Sequence, residues 1–302
     1  MVKTTACESG LKALRASQPL NWLTTSSLRA GLSLMCVQSE VVIKHLPRVG
    51  PVASRLPNGR RLRFWSRGDD WVSNQVYWRG WRGYEPETAP LFFRLASRAR
   101  VTIDVGAHVG FYALLAAHAN PAGRVFAFEP MPEIHARLVR NVRLNGLQNV
   151  SCVKSAVGAT EGIADFYHVP SVLPCSSSLS FEFMASARDV KHQPVSVVAL
   201  DRFAQREALD RVDLVKIDTE STEPQVLQGM AHILGRDRPS LVCEVLQGRG
   251  SEHALEEILG PLGYRYYLLT PDGPSPRERI DGHPQWLNYL FTPLDGDEVA
   301  RL

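Results

Sequence analysis

The segment Val101–Gly110, VTIDVGAHVG, constrains this chain more than any other. A β-branched apolar run ends in Asp104, Gly106 and Gly110, and the helix-compatible run FYALLAAHA follows. Such a run predicts a buried strand, a tight glycine turn and the start of a helix. Glycines let a backbone approach a ligand closely, and the free N–H groups of a helix start favour polar or anionic groups. A dinucleotide fingerprint requires G-x-G-x-x-G. Here the pattern is D-x-G-x-x-x-G, with Ala107 and His108 between the glycines. That spacing suits a nucleoside with an amino-acid tail better than one with a pyrophosphate.

The next apolar run, Arg124–Pro130, ends in Glu129, 25 residues beyond Asp104. An acidic residue at the end of the second strand of a βαβ unit accepts hydrogen bonds from ribose hydroxyls. The offset is close to the roughly 20 residues of the dinucleotide fold. Together, the turn and the acid predict a nucleoside-binding α/β fold.

Strand and helix patterns then alternate: strand 101–105, helix 109–119, strand 124–129, helix 132–145, strand 150–157. Extra strands in ADFYHV and PVSVVAL flank the serine-rich stretch CSSSLS, and a helix is expected over 201–207. Core strands resume at 213–218 and 240–245. A helix at 252–260 and two closing strands, 264–269 and 287–291, complete the pattern. This order predicts a Rossmann-like, doubly wound and mostly parallel sheet. The closing pair, with PDGP between, is expected as its antiparallel C-terminal edge. Residues 1–83 read as an N-terminal extension, with disorder over 1–20, an amphipathic helix over 28–46 and a hairpin of short strands over 60–81. That last stretch holds Trp65, Trp71, Trp78 and Trp81. Residues 84–302 read as the main domain.

IDVGAHVGFYALLAA, VFAFEPMPEIHARLVRNVRLNG, SSSLS, VVALDRF and VDLVKIDTESTEPQVLQGM resemble successive blocks of the FkbM-type methyltransferases. The resemblance runs from about Tyr84 to Pro293. It implies a class I enzyme that uses S-adenosylmethionine, with O-methylation of a sugar or secondary metabolite as the expected reaction. Two positions depart from the family's habit. Ser221 stands where a Gly is usual, and His108 where an Asn is usual. These departures leave open a non-catalytic S-adenosylmethionine-binding protein on a degenerate methyltransferase fold. A nucleotide-linked dehydrogenase is the remaining alternative, although it lacks its fingerprint.

The candidate cofactor residues are Asp104, Gly106, Ala107, His108, Gly110, Glu129, Pro130, Ala156, Val157 and Asp218. Asp104 either meets the cationic methionine end or caps the turn that follows it. Ala156 and Val157 are expected at the end of the third strand; by resemblance, adenine packs there. Transfer to a hydroxyl requires a proton acceptor, and Asp218, Glu220 and His108 are the candidates. Glu220 and Glu223 beside Asp218 raise at least one pKa by repulsion, while Glu223 also suits the cap of a helix near Pro224. Lys216 is expected to point away from Asp218. Trp78, Trp81 and Ser177 are the candidate acceptor contacts, the tryptophan segment serving as a lid.

Composition excludes other classes. A net charge of +3 across 302 residues is too small for a nucleic-acid or anionic-membrane surface. Five scattered cysteines, Cys7, Cys36, Cys152, Cys175 and Cys243, contain no C-x-x-C and predict neither a disulfide framework nor a zinc site. No metal is expected. The absence of a long apolar run and of a leader-like N-terminus predicts a cytoplasmic protein, and the resemblance implies a small-molecule acceptor.

Overall fold

The structure, a computed structural model, describes residues 17–34, 43, 45–169, 177–180 and 189–302. Cys7, Cys36 and Cys175, and the expectations for residues 1–16 and 35–42, lie outside the described residues. The chain divides into two compact units, Met1–Tyr84 and Glu85–Leu302. Among the described residues, no helix is long and apolar enough to cross a membrane.

In the first unit, helix α1 spans Gln18–Leu34, so it starts ten residues earlier than its pattern predicts. Strands β1 (Val49–Arg55) and β2 (Arg61–Arg67) form an antiparallel hairpin. Its alternating residues Val52, Leu62 and Phe64 are buried, the period-2 signature of a half-buried ribbon. Helix α2 (Trp71–Arg79) corrects the expectation of strands up to Trp81. Asp70 caps it by accepting from the Ser73 N–H at 2.6 Å. A local cap of this kind favours a helix over an extended chain. A short 3₁₀ turn over Trp81–Gly83 follows.

The second unit opens with α3 (Ala89–Arg98), then β3 (Val101–Val105), α4 (Phe111–Ala119), β4 (Arg124–Phe128), α5 (Pro132–Leu144) and β5 (Val150–Val153). After an excursion come α6 (Leu200–Arg206), β10 (Leu214–Ile217), α7 (Glu223–Gln228), α8 (Ala231–Arg236), β11 (Ser240–Glu244) and α9 (Ser251–Leu259). Strands β12 (Arg265–Thr270), β13 (Gly273–Arg277) and β14 (Asn288–Thr292), with α10 (Gly296–Ala300), close the chain. The main sheet has the order β13-β12-β14-β11-β10-β3-β4-β5. Its members β11, β10, β3, β4 and β5 are parallel, and β14 and β13 run antiparallel to their neighbours. This is the Rossmann-like α/β architecture with an antiparallel edge. Ile103, Val105, Phe126, Phe128, Val215 and Ile217 point into one apolar cluster with Phe203, Leu227 and Leu255. In the strands the intervening residues point the other way.

Two details depart from expectation. The stretch 150–157 is not one strand. Val150–Val153 pairs with β4, whereas β6 (Ala156–Val157) leaves for a second sheet, order β6-β9-β7-β8. Its other strands are β7 (Gly162–His168), β8 (Ser177–Ser178) and β9 (Lys191–Val198). The polar pair Lys154–Ser155 breaks the apolar run at that crossing. The PDGP turn joins β12 to β13 rather than to β14, with Gly273 at φ 106° supplying the turn. Pro274 and Pro276 disguise β13 as a loop, and prolines are tolerated in it because it is an edge strand. Strand β14 inserts between β11 and β12.

The second sheet and the end of α7 meet at a close backbone approach. A Cβ on Gly229, just after α7, would lie 2.1 Å from the Gly158 carbonyl oxygen just after β6. The Gly229 carbonyl also accepts from the Asp201 N–H at 2.9 Å. Gly229→Ala should therefore cost about 1–3 kcal/mol, the range of overpacked sites. Denaturant unfolding measures this, and an unchanged midpoint would show that the approach relaxes freely.

Candidate active site

Strand β3 lies between β4 and β10, and the chain order reverses there. In open α/β sheets, the crevice at such a reversal, beyond the carboxyl ends of the strands, holds the ligand. The residues after β3, β4, β10 and β11 therefore define the site.

Gly106 has φ 79°, and a Cβ there would fall 1.8 Å from the Asp218 carbonyl oxygen. The turn after β3 thus packs against the backbone after β10. This contact, rather than a ligand's approach, is the visible reason for a glycine. The N–H groups of Gly106 and Ala107 both donate to the Phe128 carbonyl, at 3.1 and 2.9 Å. Gly110 caps α4 in the left-handed region at φ 95° and brings no side chain to the cap. Asp104 serves that end instead: its Oδ2 accepts from the Ala113 N–H at 2.8 Å. Burial raises the Asp104 pKa to about 7, against the pull of Lys216.

Glu129 is buried and bridges two turns. One oxygen accepts from the His108 N–H at 3.0 Å and the other from the Met131 N–H at 2.9 Å. Burial raises its pKa to about 7, although both hydrogen bonds oppose the rise. Pro130 and Met131 are buried beside it. Ala156 and Val157 are buried too, but in the second sheet.

Lys216 corrects the expectation that it points away from Asp218. Residues two apart on a strand share a face, and Lys216 Nζ donates to Asp218 Oδ2 at 3.2 Å and to Asn288 Oδ1 at 3.1 Å. Its side chain is fully buried, with Nζ 5.1 Å from the Tyr112 ring centre. Burial alone would lower its pKa, yet Asp218, Glu85 and Glu244 together raise it. Glu85 accepts from the Tyr112 hydroxyl and, at 2.9 Å, from Asn288 Nδ2. Sequence reasoning missed Glu85, Tyr112, Glu244 and Asn288, because their link to Lys216 is made across strands and from α4.

The turn after β10 is strained and tightly held. Glu220 and Ser221 have φ of 56° and 80°, a region that costs a non-glycine residue about 1–2 kcal/mol. Glu223 Oε1 accepts from the N–H groups of Thr219 and Ser221 at 3.2 and 3.1 Å and from the Thr219 hydroxyl at 3.0 Å. Glu223 is thus the clamp of this turn and the first residue of α7, rather than a cap standing before that helix. Ser178 Oγ donates to the Glu220 carbonyl at 2.6 Å. Through Ser178 the serine-rich stretch reaches this turn, and the side chain of Ser177 lies outside the described residues. Burial, then Asp218 and Glu223, raise the Glu220 pKa to about 8.

Both departures from the FkbM pattern fall on left-handed residues: His108 has φ 50° and Ser221 φ 80°. Asn and Gly are the residue types that enter this region most readily, which accounts for the habit at both positions. Trp78 and Trp81 are held within the first unit, where Trp78 Nε1 donates to the Leu46 carbonyl at 3.3 Å and the Trp81 N–H to Ser54 Oγ at 2.9 Å. Among the described residues, no three His, Cys, Asp or Glu side chains are placed to hold a metal ion.

Ser221→Gly should stabilise the protein by about 0.5–1 kcal/mol, the left-handed strain it relieves exceeding the entropy that glycine adds to the unfolded chain. An equal or lower unfolding free energy would count against strain at this turn. Asp104, Glu129 and Glu220 hold protons, to about pH 7, 7 and 8, that the unfolded chain has lost by about pH 5. The folded state thus binds more protons than the unfolded state in that window, and stability falls as pH rises from about 5 to 8. A melting temperature that climbs over this range in cofactor-free protein would contradict the assignment.

Residues 104–266 match the family described as the Methyltransferase FkbM domain. Methyltransferase sdnD of Sordaria araneosa is 25% identical over 187 residues, which cover 54% of this chain and 72% of that protein. Methyltransferase 1 of Beauveria bassiana is 24% identical over 189 residues, covering 58% and 76%. The crystal structure of an FkbM methyltransferase from Methylobacillus flagellatus KT aligns at a TM-score of 0.43 and 16% identity, over 64% of this chain and 43% of that one. The family match spans more than half of the chain, from the end of β3 into β12, and the chain belongs to the FkbM methyltransferase family.

Proposed function

We propose that this enzyme transfers the methyl group of S-adenosylmethionine to a hydroxyl of a small-molecule acceptor, a sugar or a secondary metabolite. One observation carries the reading: the crevice beyond β3 and β10 gathers several carboxylates around the buried ammonium of Lys216. A ligand with cationic ends and a ribose fits that donor set. Glu129 would hold the ribose, since each of its oxygens accepts one N–H and retains a second lone pair. The turn Gly106–Gly110 and Asp104 would hold the methionine end, and Pro130 and Met131 would flank the base.

The acceptor would enter through a cleft of about 830 Å³ beside the strained turn. Ser180, Ser221, Thr222, Gln225, Gln228 and Arg249 contribute its polar lining. These hydroxyl and amide groups, with Arg249 and Glu161 as the charged members of the same lining, suit a hydroxyl-rich or otherwise polar organic molecule.

Bound S-adenosylmethionine supplies a methyl on a sulfonium whose sulfur leaves neutral. The protein's work is then alignment and removal of one proton. Asp218 is the proposed proton acceptor. Lys216, itself bonded to Asn288, donates to it, and the Asp218 side chain is partly exposed. His108 contributes its backbone N–H to Glu129 and is the weaker candidate.

Asp218→Asn should lower turnover at saturating cofactor by about 100- to 10,000-fold, the usual span for loss of a general base. Cofactor affinity should change little. Glu129→Ala should do the reverse, weakening S-adenosylmethionine by about 1.5–3 kcal/mol, the scale of a charge-assisted hydrogen bond. Calorimetry and steady-state rates with a panel of glycoside acceptors separate the two. Normal turnover in Asp218→Asn would remove it as the base, and wild-type affinity in Glu129→Ala would remove the ribose assignment.

A further inference from the structure

Two carboxylates at the crevice have no task in the transfer so far, Glu244 and Glu220. Glu244 ends β11. Ile217 pairs with Cys243 in the parallel register, so Asp218 and Glu244 follow side by side. Across the antiparallel pair with β14, Glu244 faces Asn288. Its Oε2 is buried and has no hydrogen-bond partner among the described residues. Such an oxygen is costly to leave unmet in a native fold. Burial first, then the charges of Asp218 and Glu220, raise its pKa well above the carboxylate range; Lys216 pulls the other way and Glu85 adds to the rise. Glu220 stands in a strained turn held by Glu223 and Ser178. The charged and titratable groups around this pair are thus Asp218 and Lys216 of β10, Glu223 of α7, Glu85 ahead of α3, and Arg249, which acts on Glu220.

We propose that Glu244 and Glu220 form an anionic wall that reads the sulfonium charge, so that the site prefers S-adenosylmethionine to its neutral thioether product. The proposal rests on the cofactor reading above. Lys216 is the fully buried cation that acts on both members of the wall, and it is already shared between Asp218 and Asn288. A cationic ligand completes the charge balance that the chain leaves open, and a neutral thioether does not.

The reaction then conserves charge inside the site. The carbon–sulfur bond breaks and its electron pair stays on sulfur, which becomes neutral. The carbon–oxygen bond forms, and the acceptor's proton passes to Asp218. One positive charge leaves the cofactor and one proton arrives on Asp218, beside the wall. The product thioether loses its attraction at the moment of its formation, which favours its release. Deprotonated carboxylates bind the sulfonium best, so S-adenosylmethionine binding expels a proton held by the wall in the cofactor-free protein.

The test is calorimetry of S-adenosylmethionine and S-adenosylhomocysteine with wild type, Glu244→Gln and Glu220→Gln at several pH values from 6 to 8.5. Two buffers of different ionisation enthalpy report proton release. The amine of each ligand titrates identically with all three proteins, so wild-type-to-variant ratios isolate the wall. Wild type should favour S-adenosylmethionine increasingly as pH rises, by up to about tenfold per pH unit for one linked proton. The preference should shrink about tenfold in Glu244→Gln, with S-adenosylhomocysteine affinity retained as proof of folding. Glu220→Gln serves as the second variant if Glu244→Gln does not fold. An unchanged ligand ratio in a folded variant, or equal proton release with both ligands, would overturn the wall. Failure of wild type to bind either ligand would instead defeat the cofactor reading.

Discussion

The buried ammonium of Lys216 organises the site. A charge taken out of water costs several kcal/mol unless it is paired and hydrogen-bonded. Lys216 meets that cost with Asp218, with Asn288 and with the face of Tyr112. Those partners come from its own strand, from β14 and from α4, while Glu85 ties Tyr112 to Asn288. One side chain thus fixes three elements above the carboxyl ends of the strands. Removing one member of such a buried pair costs about 3–5 kcal/mol, because the partner is left charged and alone.

Two further contacts set the shape of the crevice. Glu129 joins the turn after β3 to the turn after β4 through one hydrogen bond to each. Gly106 lets the β3 turn lie against the Asp218 carbonyl, so the turns after β3 and β10 meet backbone to backbone. Any side chain at Gly106 would force them apart before it affected a ligand. The ligand-binding surface and the packing of the strand ends are therefore one structure.

The strain at Glu220 and Ser221 has a clear holder. Glu223 takes two backbone N–H groups and one hydroxyl from the same turn, and Ser178 fixes it from the second sheet. Strained backbone persists where its surroundings over-determine it, and such places cluster at functional sites. Here the strain holds Glu220 next to Asp218 and Glu223, where burial and like charges keep a carboxylate protonated to about pH 8.

Local chemistry made much of this protein legible from residues alone. Apolar periods marked β3, β4, β10 and β11. Glycines marked the turn after β3, and Glu129 marked the end of β4, because strand periodicity and left-handed turns are properties of a few neighbouring residues. The departures at His108 and Ser221 were visible too, although their meaning required backbone angles. What tertiary structure decided is non-local. Lys216, whose bond to Asp218 is local, found Asn288 only once β10 and β14 were placed in the same sheet. Glu244 joined the carboxylates because the parallel register sets it beside Asp218. Ala156–Val157 left the main sheet to pair with β9, and β14 entered between β11 and β12. A sequence states which face a side chain prefers and which turns a backbone tolerates. Which charges share a buried space depends on strand order and register, and those follow from the packing of the whole sheet.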